Sequence, residues 1–334
     1  VLLDARDVRV DFATREGPRL VAVDGVHLTL RAGEICGLVG ESGSGKTVFS
    51  LALLRLIDSV DARSTGQILW RGKDLATLAE RELREVRGRE IAMVFQNAQA
   101  SLNPALTIGA QFGALLRYRR GMSKAEARAE SLRLLRAVLL TDADRVLTAY
   151  PHECSGGMCH RIAVALALSL QPRLIIADEP TASLDVTIQA QIVELLRQVR
   201  EEFGVAILLI THDFGVVANL CDRVAVMYLG QIVETGPTAL VYREPKHPYT
   251  QALLASLLSP DPAQARRSTP IIGETPSSLH LPQNACRFTG RCPKAFDRCR
   301  VELPMLTKID ANDRLTACFF YGAEGRSLSN AALD

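Results

Sequence analysis

GESGSGKT, residues 40–47, has the spacing G-x-x-x-x-G-K-[ST] of a loop that wraps nucleotide phosphates. From Gly40 through Ser42, Gly43, Ser44 and Gly45 the backbone can turn its N–H groups onto anionic oxygens, with no Cβ at the glycines to obstruct them. Lys46 reaches the β- and γ-phosphates, and the Thr47 hydroxyl is placed to ligate Mg²⁺. Upstream, Ile35-Cys36-Gly37-Leu38-Val39 reads as a buried strand. Downstream, Val48 to Ile57 is rich in Leu and free of Gly and Pro. It is expected to be a helix whose positive N-terminal end faces the phosphates. An ordinary glycine-rich turn would need neither the strand before it nor the helix after it.

Kinases, GTPases, helicases and transport ATPases all share such a loop, and the order of later segments narrows the choice. Gln96 follows the strand-like run Ile91-Ala92-Met93-Val94-Phe95. Ser155-Gly156-Gly157-Met158 precedes the apolar helix Ile162 to Leu170. Leu174-Ile175-Ile176-Ala177 runs into Asp178-Glu179, with Ser183-Leu184-Asp185 next. Ile207-Leu208-Leu209-Ile210-Thr211 then ends at His212. In kind and order this series resembles the ATP-binding cassette of ABC transporters over residues 1–258. The fold implied is α/β: a P-loop NTPase cassette with a mixed-sheet core and a helical subdomain at about residues 97–160.

Asp178 and Glu179 stand where a buried parallel strand should end, the edge at which open α/β sheets bind ligands. Asp178 can hold Mg²⁺ through a water, and Glu179 can take a proton from the water that attacks the γ-phosphate. The resemblance implies that Gln96 senses the γ-phosphate and reaches Mg²⁺. It also implies that His212 holds the attacking water and Glu179 in line. Ser155, Gly156 and Gly157 would close over ATP held by a second cassette, with Asp185 in the loop that links the two sites. Two positions depart from the family pattern: Cys154 stands where Leu is usual, and His160 where Gln is usual. Both are expected on the surface offered to the partner's ATP, where His160 would titrate near neutral pH. Phe12, alternating with Val8 and Val10 on an early strand, is the candidate to stack on adenine, though the same alternation suits a core residue.

At 334 residues, 48% hydrophobic and 23% charged, the chain can bury one sizeable α/β core and a smaller domain. A net charge of +2 with no polybasic tail points away from nucleic acid and membrane lipid. Neither a signal-peptide pattern nor an apolar run long enough to span a bilayer stands out, so any pore belongs to other subunits. Between Gln96 and Ser155, Ser123-Lys124-Ala125-Glu126 has capping-box spacing, with apolar Leu132, Leu135, Val138 and Leu139 behind it. Thr77-Leu78-Ala79-Glu80 repeats the box. In the family this region receives a short helix from the permease.

Pro260, Pro262, Pro270, Pro276 and Pro282 mark an irregular connection within residues 259–334. Beyond most of it come Cys286, Cys292, Cys299 and Cys318. A clustered quartet in a cytosolic chain reads as a metal site, although the close C-x₂₋₄-C pairs of zinc ribbons are absent. The run CRFTGRCPKAFDRC, with His247-Pro248-Tyr249-Thr250 and Tyr150-Pro151-His152-Glu153, resembles the oligopeptide and dipeptide permease ATPases. That likeness implies a small irregular C-terminal domain whose four thiolates hold a 4Fe–4S cluster, zinc or unliganded cysteines being the alternatives. It further implies an ATPase with Mg²⁺, a second cassette (a paralogue or a copy), two permease subunits and an extracytoplasmic solute-binding protein. The subunit would sit peripherally on the cytoplasmic face of the inner membrane. Nickel or another small solute is the alternative cargo. A non-transport ABC ATPase is the alternative class, but it usually carries two cassettes or a long coiled coil.

Overall fold

Alternation of apolar residues builds the first sheet. The structure, a computed structural model, describes residues 1–15, 17–57, 61–182, 184–256, 276, 282 and 284–321. Ser183 and the prolines at 260, 262 and 270 lie outside the described residues. Strand β1 (Leu3–Phe12) buries Leu3 and Ala5, then Val8 and Val10. A register shift between Arg6 and Arg9, with Asp7 at φ 47°, restores the inward phase. Phe12 ends the strand half-buried. With β2 (Leu20–Leu30), β3 (Ile35–Val39), β4 (Ala62–Trp70) and β5 (Lys73–Asp74) named in chain order, this sheet runs β2-β1-β4-β5.

Strand β3 is buried at every residue and feeds helix α1 (Lys46–Leu53) through residues 40–45. The helix is shorter than the expected Val48–Ile57. Leu54 N–H bonds back to Leu51 O, and Arg55 takes a left-handed φ of 50°, a helix stop that apolar composition does not reveal.

The chain divides into two compact units, one of residues 1–2, 30–35 and 77–211, the other of 3–29, 36–76 and 212–334. The first unit opens with α2 (Glu80–Val86). The expected Thr77–Glu80 box is not formed: Thr77 lies in a 3₁₀ turn, and Glu82 accepts the Ala79 N–H at 3.1 Å. Glu80 instead pairs with Arg87 at 2.8 Å.

Next come β6 (Ile91–Val94), α3 (Ala98–Ser101), α4 (Ile108–Arg120), α5 (Lys124–Ala137), α6 (Ala143–Thr148) and α7 (Gly156–Leu168). The Ser123 box is present, with Ser123 N–H to Glu126 at 2.8 Å and Glu126 N–H to Ser123 Oγ at 3.3 Å. Such a cap contributes about 1 kcal/mol. Helix α5 buries Leu134 and Leu135, whereas Leu139 is exposed beyond the helix end at φ 61°. Strand β7 (Leu174–Asp178), helix α8 (Val186–Phe203) and strand β8 (Ala206–Thr211) complete the unit. β6, β7 and β8 pair in parallel, and continuous apolar runs bury β7 and β8 on both faces.

The second unit resumes with α9 (Phe214–Leu220), β9 (Arg223–Tyr228), β10 (Gln231–Pro237), α10 (Thr238–Arg243) and α11 (Pro248–Ser256). α12 (Asp297–Val301), β11 (Thr307–Lys308) and β12 (Leu315–Thr316) follow. β3 pairs with β9 in parallel, whereas β9–β10, β10–β12 and β11–β12 are antiparallel. The late segment is therefore stitched into this unit's sheet by β12. Glu234, fully buried on β10, accepts the N–H groups of Lys246 at 2.8 Å and His247 at 2.9 Å. Burial pushes its carboxyl up, and Arg314 lies 3.8 Å away. This anchor sets the start of α11 and with it the position of Tyr249.

Candidate functional site

In the second unit the loop after β3 folds back on its own backbone. A Cβ at Gly40 would stand 2.1 Å from Met227 O, so the loop lies directly against β9 there. Gly45 has φ 101°, and a Cβ on it would meet Ala22 O at 2.2 Å. Ser44 is buried and its carbonyl accepts the Gly230 N–H at 2.8 Å. Ser42 and Gly43 lie at the exposed tip. Lys46 is almost fully buried, its Nζ donating to Gly40 O at 2.8 Å, Glu41 O at 2.9 Å and Ser44 Oγ at 3.3 Å. Thr47 is exposed in the first turn of α1. The loop thus presents N–H groups, an ammonium and a hydroxyl at one helix N-terminus, which suits a polyphosphate. Also in this unit, Phe12 is partly open, and exposed His212 precedes Asp213, which caps α9 through Gly215 N–H at 2.7 Å.

The first unit holds the other candidate residues. Asp178, 2% exposed, ends β7 opposite Ile210 of β8. Glu179 follows with φ 48°, its N–H donating to Ile210 O at 2.8 Å and its carbonyl accepting from Ala182 N–H at 3.1 Å. A left-handed backbone at a non-glycine residue costs on the order of 1–3 kcal/mol and persists only where its neighbours impose it. Gln96 is exposed just beyond β6. Asp178 and Gln96 in this unit carry side-chain oxygen atoms, the donor type that Mg²⁺ prefers, as does Thr47 in the other.

Ser155 caps α7, its Oγ accepting from Met158 N–H at 3.3 Å, and Gly156 is exposed beside it. A Cβ on Gly157 would press on Ile188 Cγ2 at 3.0 Å, so this glycine lets α7 approach α8 closely. Asp185 is exposed and caps α8 through Ile188 N–H at 2.9 Å.

Cys154 and His160 correct an expectation. Both are buried rather than on an offered surface: His160 because α7 is apolar around much of its circumference, Cys154 at the end of the turn that precedes Ser155. Burial lowers the His160 pKa, so the ring is neutral near pH 7, and among the described residues its Nδ1 has no hydrogen-bond partner. The same burial raises the Cys154 thiol, with the Glu153 charge adding to it.

Cys286, Cys292, Cys299 and Cys318 line one cavity with His247 and Phe288. All four are free thiols. Burial pushes Cys286 up to about 11 and Cys318 to about 12, and the other three cysteines add to the rise at Cys318. Burial also drops His247 to about 3, so its neutral Nδ1 accepts the Tyr249 N–H at 3.1 Å. Among the described residues no group of three or more His, Cys, Asp or Glu could hold a metal ion as it stands. The donor set lining the cavity is nonetheless four thiols.

Residues not anticipated from the sequence also touch the loop. Glu41 N–H donates to Tyr249 Oη at 2.9 Å. Arg291 forks the Glu41 carboxylate at 2.9 and 3.1 Å. The partners lie 208 and 250 residues along the chain, in the His247-Pro248-Tyr249-Thr250 motif and in the run CRFTGRCPKAFDRC, neither of which signals a contact with the loop.

Comparison with known proteins shows the family. Residues 23–182 match the ABC transporter family, and residues 233–299 match the oligopeptide/dipeptide transporter C-terminal region. The chain is similar to the oligopeptide transport ATP-binding protein OppD of Salmonella typhimurium, with 45% identity over 96% of this chain and 93% of that one. It is also similar to the oligopeptide transport ATP-binding protein AppD of Bacillus subtilis, with 43% identity over 98% and 99%. Among solved structures, the dimeric ATP-binding cassette MJ0796 in a post-hydrolysis state bound to ADP and Pi is similar over 71% of this chain and 98% of its own. The identity there is 28% and the TM-score 0.62.

Proposed function

The chain belongs to the ATP-binding subunits of ABC transporters, and from that premise we propose that it hydrolyses ATP to power the import of oligopeptides or dipeptides through a membrane permease. The observation that carries this reading is the agreement with oligopeptide transport ATP-binding proteins along nearly their whole length. In this proposal residues 1–258 form the cassette, with a helical subdomain at about 97–160, and residues 259–334 the linker and C-terminal domain.

Lys46 and the backbone of residues 40–45 hold the β- and γ-phosphates, and Phe12 stacks on the adenine. Thr47, Asp178 and Gln96 supply the oxygen atoms for Mg²⁺, which when bound neutralises phosphate charge as the γ-phosphoryl departs. Glu179 takes the proton of the attacking water, and His212 holds that water in line. Ser155, Gly156 and Gly157 close on the nucleotide of a second cassette, and Asp185 lies in the loop joining the two sites. That cassette is a copy of this chain or a paralogue. Closure moves two permease subunits, to which an extracytoplasmic solute-binding protein delivers the cargo. The subunit works peripherally at the cytoplasmic face of the cell membrane. Among the described residues no helix is long and apolar enough to cross a membrane.

Recovery of the tagged chain from its native membranes, with mass spectrometry of its partners, tests this reading. Two multi-spanning permeases and a cassette are expected. Recovery with ribosomes or DNA-repair factors alone would overturn the transport assignment.

The same proposal gives the four C-terminal cysteines a 4Fe–4S cluster. Its support is the all-thiol set around one cavity, together with buried thiols that stay protonated unless a cation draws the proton off. Anaerobically purified chain should contain about four iron and four sulfide per polypeptide, and Cys299→Ser should lose them. Zinc at one per chain, or no metal, would overturn the cluster.

A further inference from the structure

The second position of the phosphate loop carries a carboxylate, an odd group to place beside a polyphosphate. Glu41 lies between Gly40 and the glycines at 43 and 45, within the loop read above as the phosphate site. At ordinary protein dielectric, a unit negative charge within several ångströms of an anion opposes binding by about 1 kcal/mol or more. The molecule answers that charge from far along the chain. Arg291, 7% exposed at its side chain, makes a two-pronged contact with both carboxylate oxygens. Its guanidinium also donates to Tyr228 Oη at 3.4 Å and lies 5.8 Å from that ring's centroid.

The scaffold behind this contact is buried and aromatic. Tyr228, Tyr249 and Phe288 form a mutual aromatic cluster with centroids 4.5 to 5.5 Å apart. Tyr249 reaches the Glu41 N–H, so the loop residue is gripped at its backbone and at its side chain. A second arginine from the same segment, Arg287, binds Asp24 and the Leu229 carbonyl. The neighbouring Gly230 N–H holds Ser44 O. Both arginines lie between Cys286 and Cys292, in the stretch that lines the thiol cavity.

We infer that Arg291 is a positioning residue for the phosphate loop, delivered by the four-cysteine segment, which neutralises Glu41 and turns its carboxylate away so that the loop accepts a nucleotide polyphosphate. The inference rests on the reading of residues 40–47 as the ATP site. Arg291 acts through its paired contact with Glu41. The integrity of the cysteine segment thereby tunes the affinity of the loop, and a chain that loses that segment's fold presents the Glu41 carboxylate to ATP without Arg291.

The test measures Mg·ATP binding to the full-length chain by equilibrium titration, with steady-state KM and kcat alongside. Arg291→Met should weaken ATP binding about tenfold and raise KM correspondingly, with kcat changed less than about twofold. Adding Glu41→Gln to Arg291→Met removes the stranded charge and should bring affinity back to within about threefold of wild type. A general loss of packing would not be repaired in that way. Arg291→Lys, which keeps the charge without the fork, should lose only about twofold to threefold. The double variant also serves where Arg291→Met alone folds poorly. Wild-type affinity in Arg291→Met, or losses that simply add in the double variant, would overturn the inference. If the wild-type chain itself binds no Mg·ATP, the ATP-site reading fails first and the inference falls with it, an outcome distinct from a wild type that binds and a variant that matches it.

Discussion

Replacing Glu179 by Gln lowers steady-state ATP hydrolysis by about 10²–10⁴-fold while leaving Mg·ATP binding intact, and ATP-bound dimer accumulates. The expectation follows from chemistry and placement together. A carboxylate can accept the proton of the attacking water, and an amide of the same size cannot. The residue directly follows Asp178, and its left-handed backbone is held by Ile210 O and Ala182 N–H, contacts that the substitution leaves untouched. The variant should therefore fold as wild type and fail only in turnover. Phosphate release over time, paired with size-exclusion chromatography in ATP, reads both halves. Undiminished turnover would remove Glu179 as the base.

Gly40→Ala should cost the protein about 3 kcal/mol of stability and abolish ATP binding. The new Cβ would stand 2.1 Å from Met227 O and 2.9 Å from Ser44 Oγ, and neither neighbour is free to yield. Met227 lies within β9, paired with β10 at Ile232, and Ser44 is tied through its carbonyl to Gly230. Relief comes only from moving a strand or the loop. Gly113→Ala is the control, because a Cβ there meets nothing within 4 Å in the middle of α4. That substitution should stabilise by about 0.5–1 kcal/mol. Denaturant midpoints of the two variants, with an ATP titration of each, check the pair. A Gly40→Ala protein with wild-type midpoint and affinity would mean that the loop does not lie against β9 as described.

What was legible in the sequence was local. Residues 40–47 carry their conformation in their glycines, and the buried strand before them and helix after them needed only apolar runs. Asp178, Glu179 and Gln96 were placed by the ends of such runs. The Ser123–Glu126 box was readable because both of its hydrogen bonds close within three residues. Thr77 and Glu80 have the same spacing, but Glu80 is drawn to Arg87 and Glu82 takes the capping role, a competition among neighbouring charges that spacing does not settle. Cys154 and His160 were misplaced because signature residues suggested a surface. The surrounding Cys159, Ile162 and Ala163 already hinted at a helix buried on more than one side. The grip on Glu41 could not be anticipated, since no pattern links an acidic loop residue to an arginine 250 positions later.

That separation has a consequence for synthesis on the ribosome. Glu41 leaves the exit tunnel 250 residues ahead of Arg291. At about 5–20 residues per second the interval lasts roughly 12–50 s, far longer than a helix or strand pair needs to form. Throughout that time the nascent loop carries Glu41 without its guanidinium. On the Arg291 proposal, a nascent chain in that interval binds ATP about tenfold more weakly than the finished subunit.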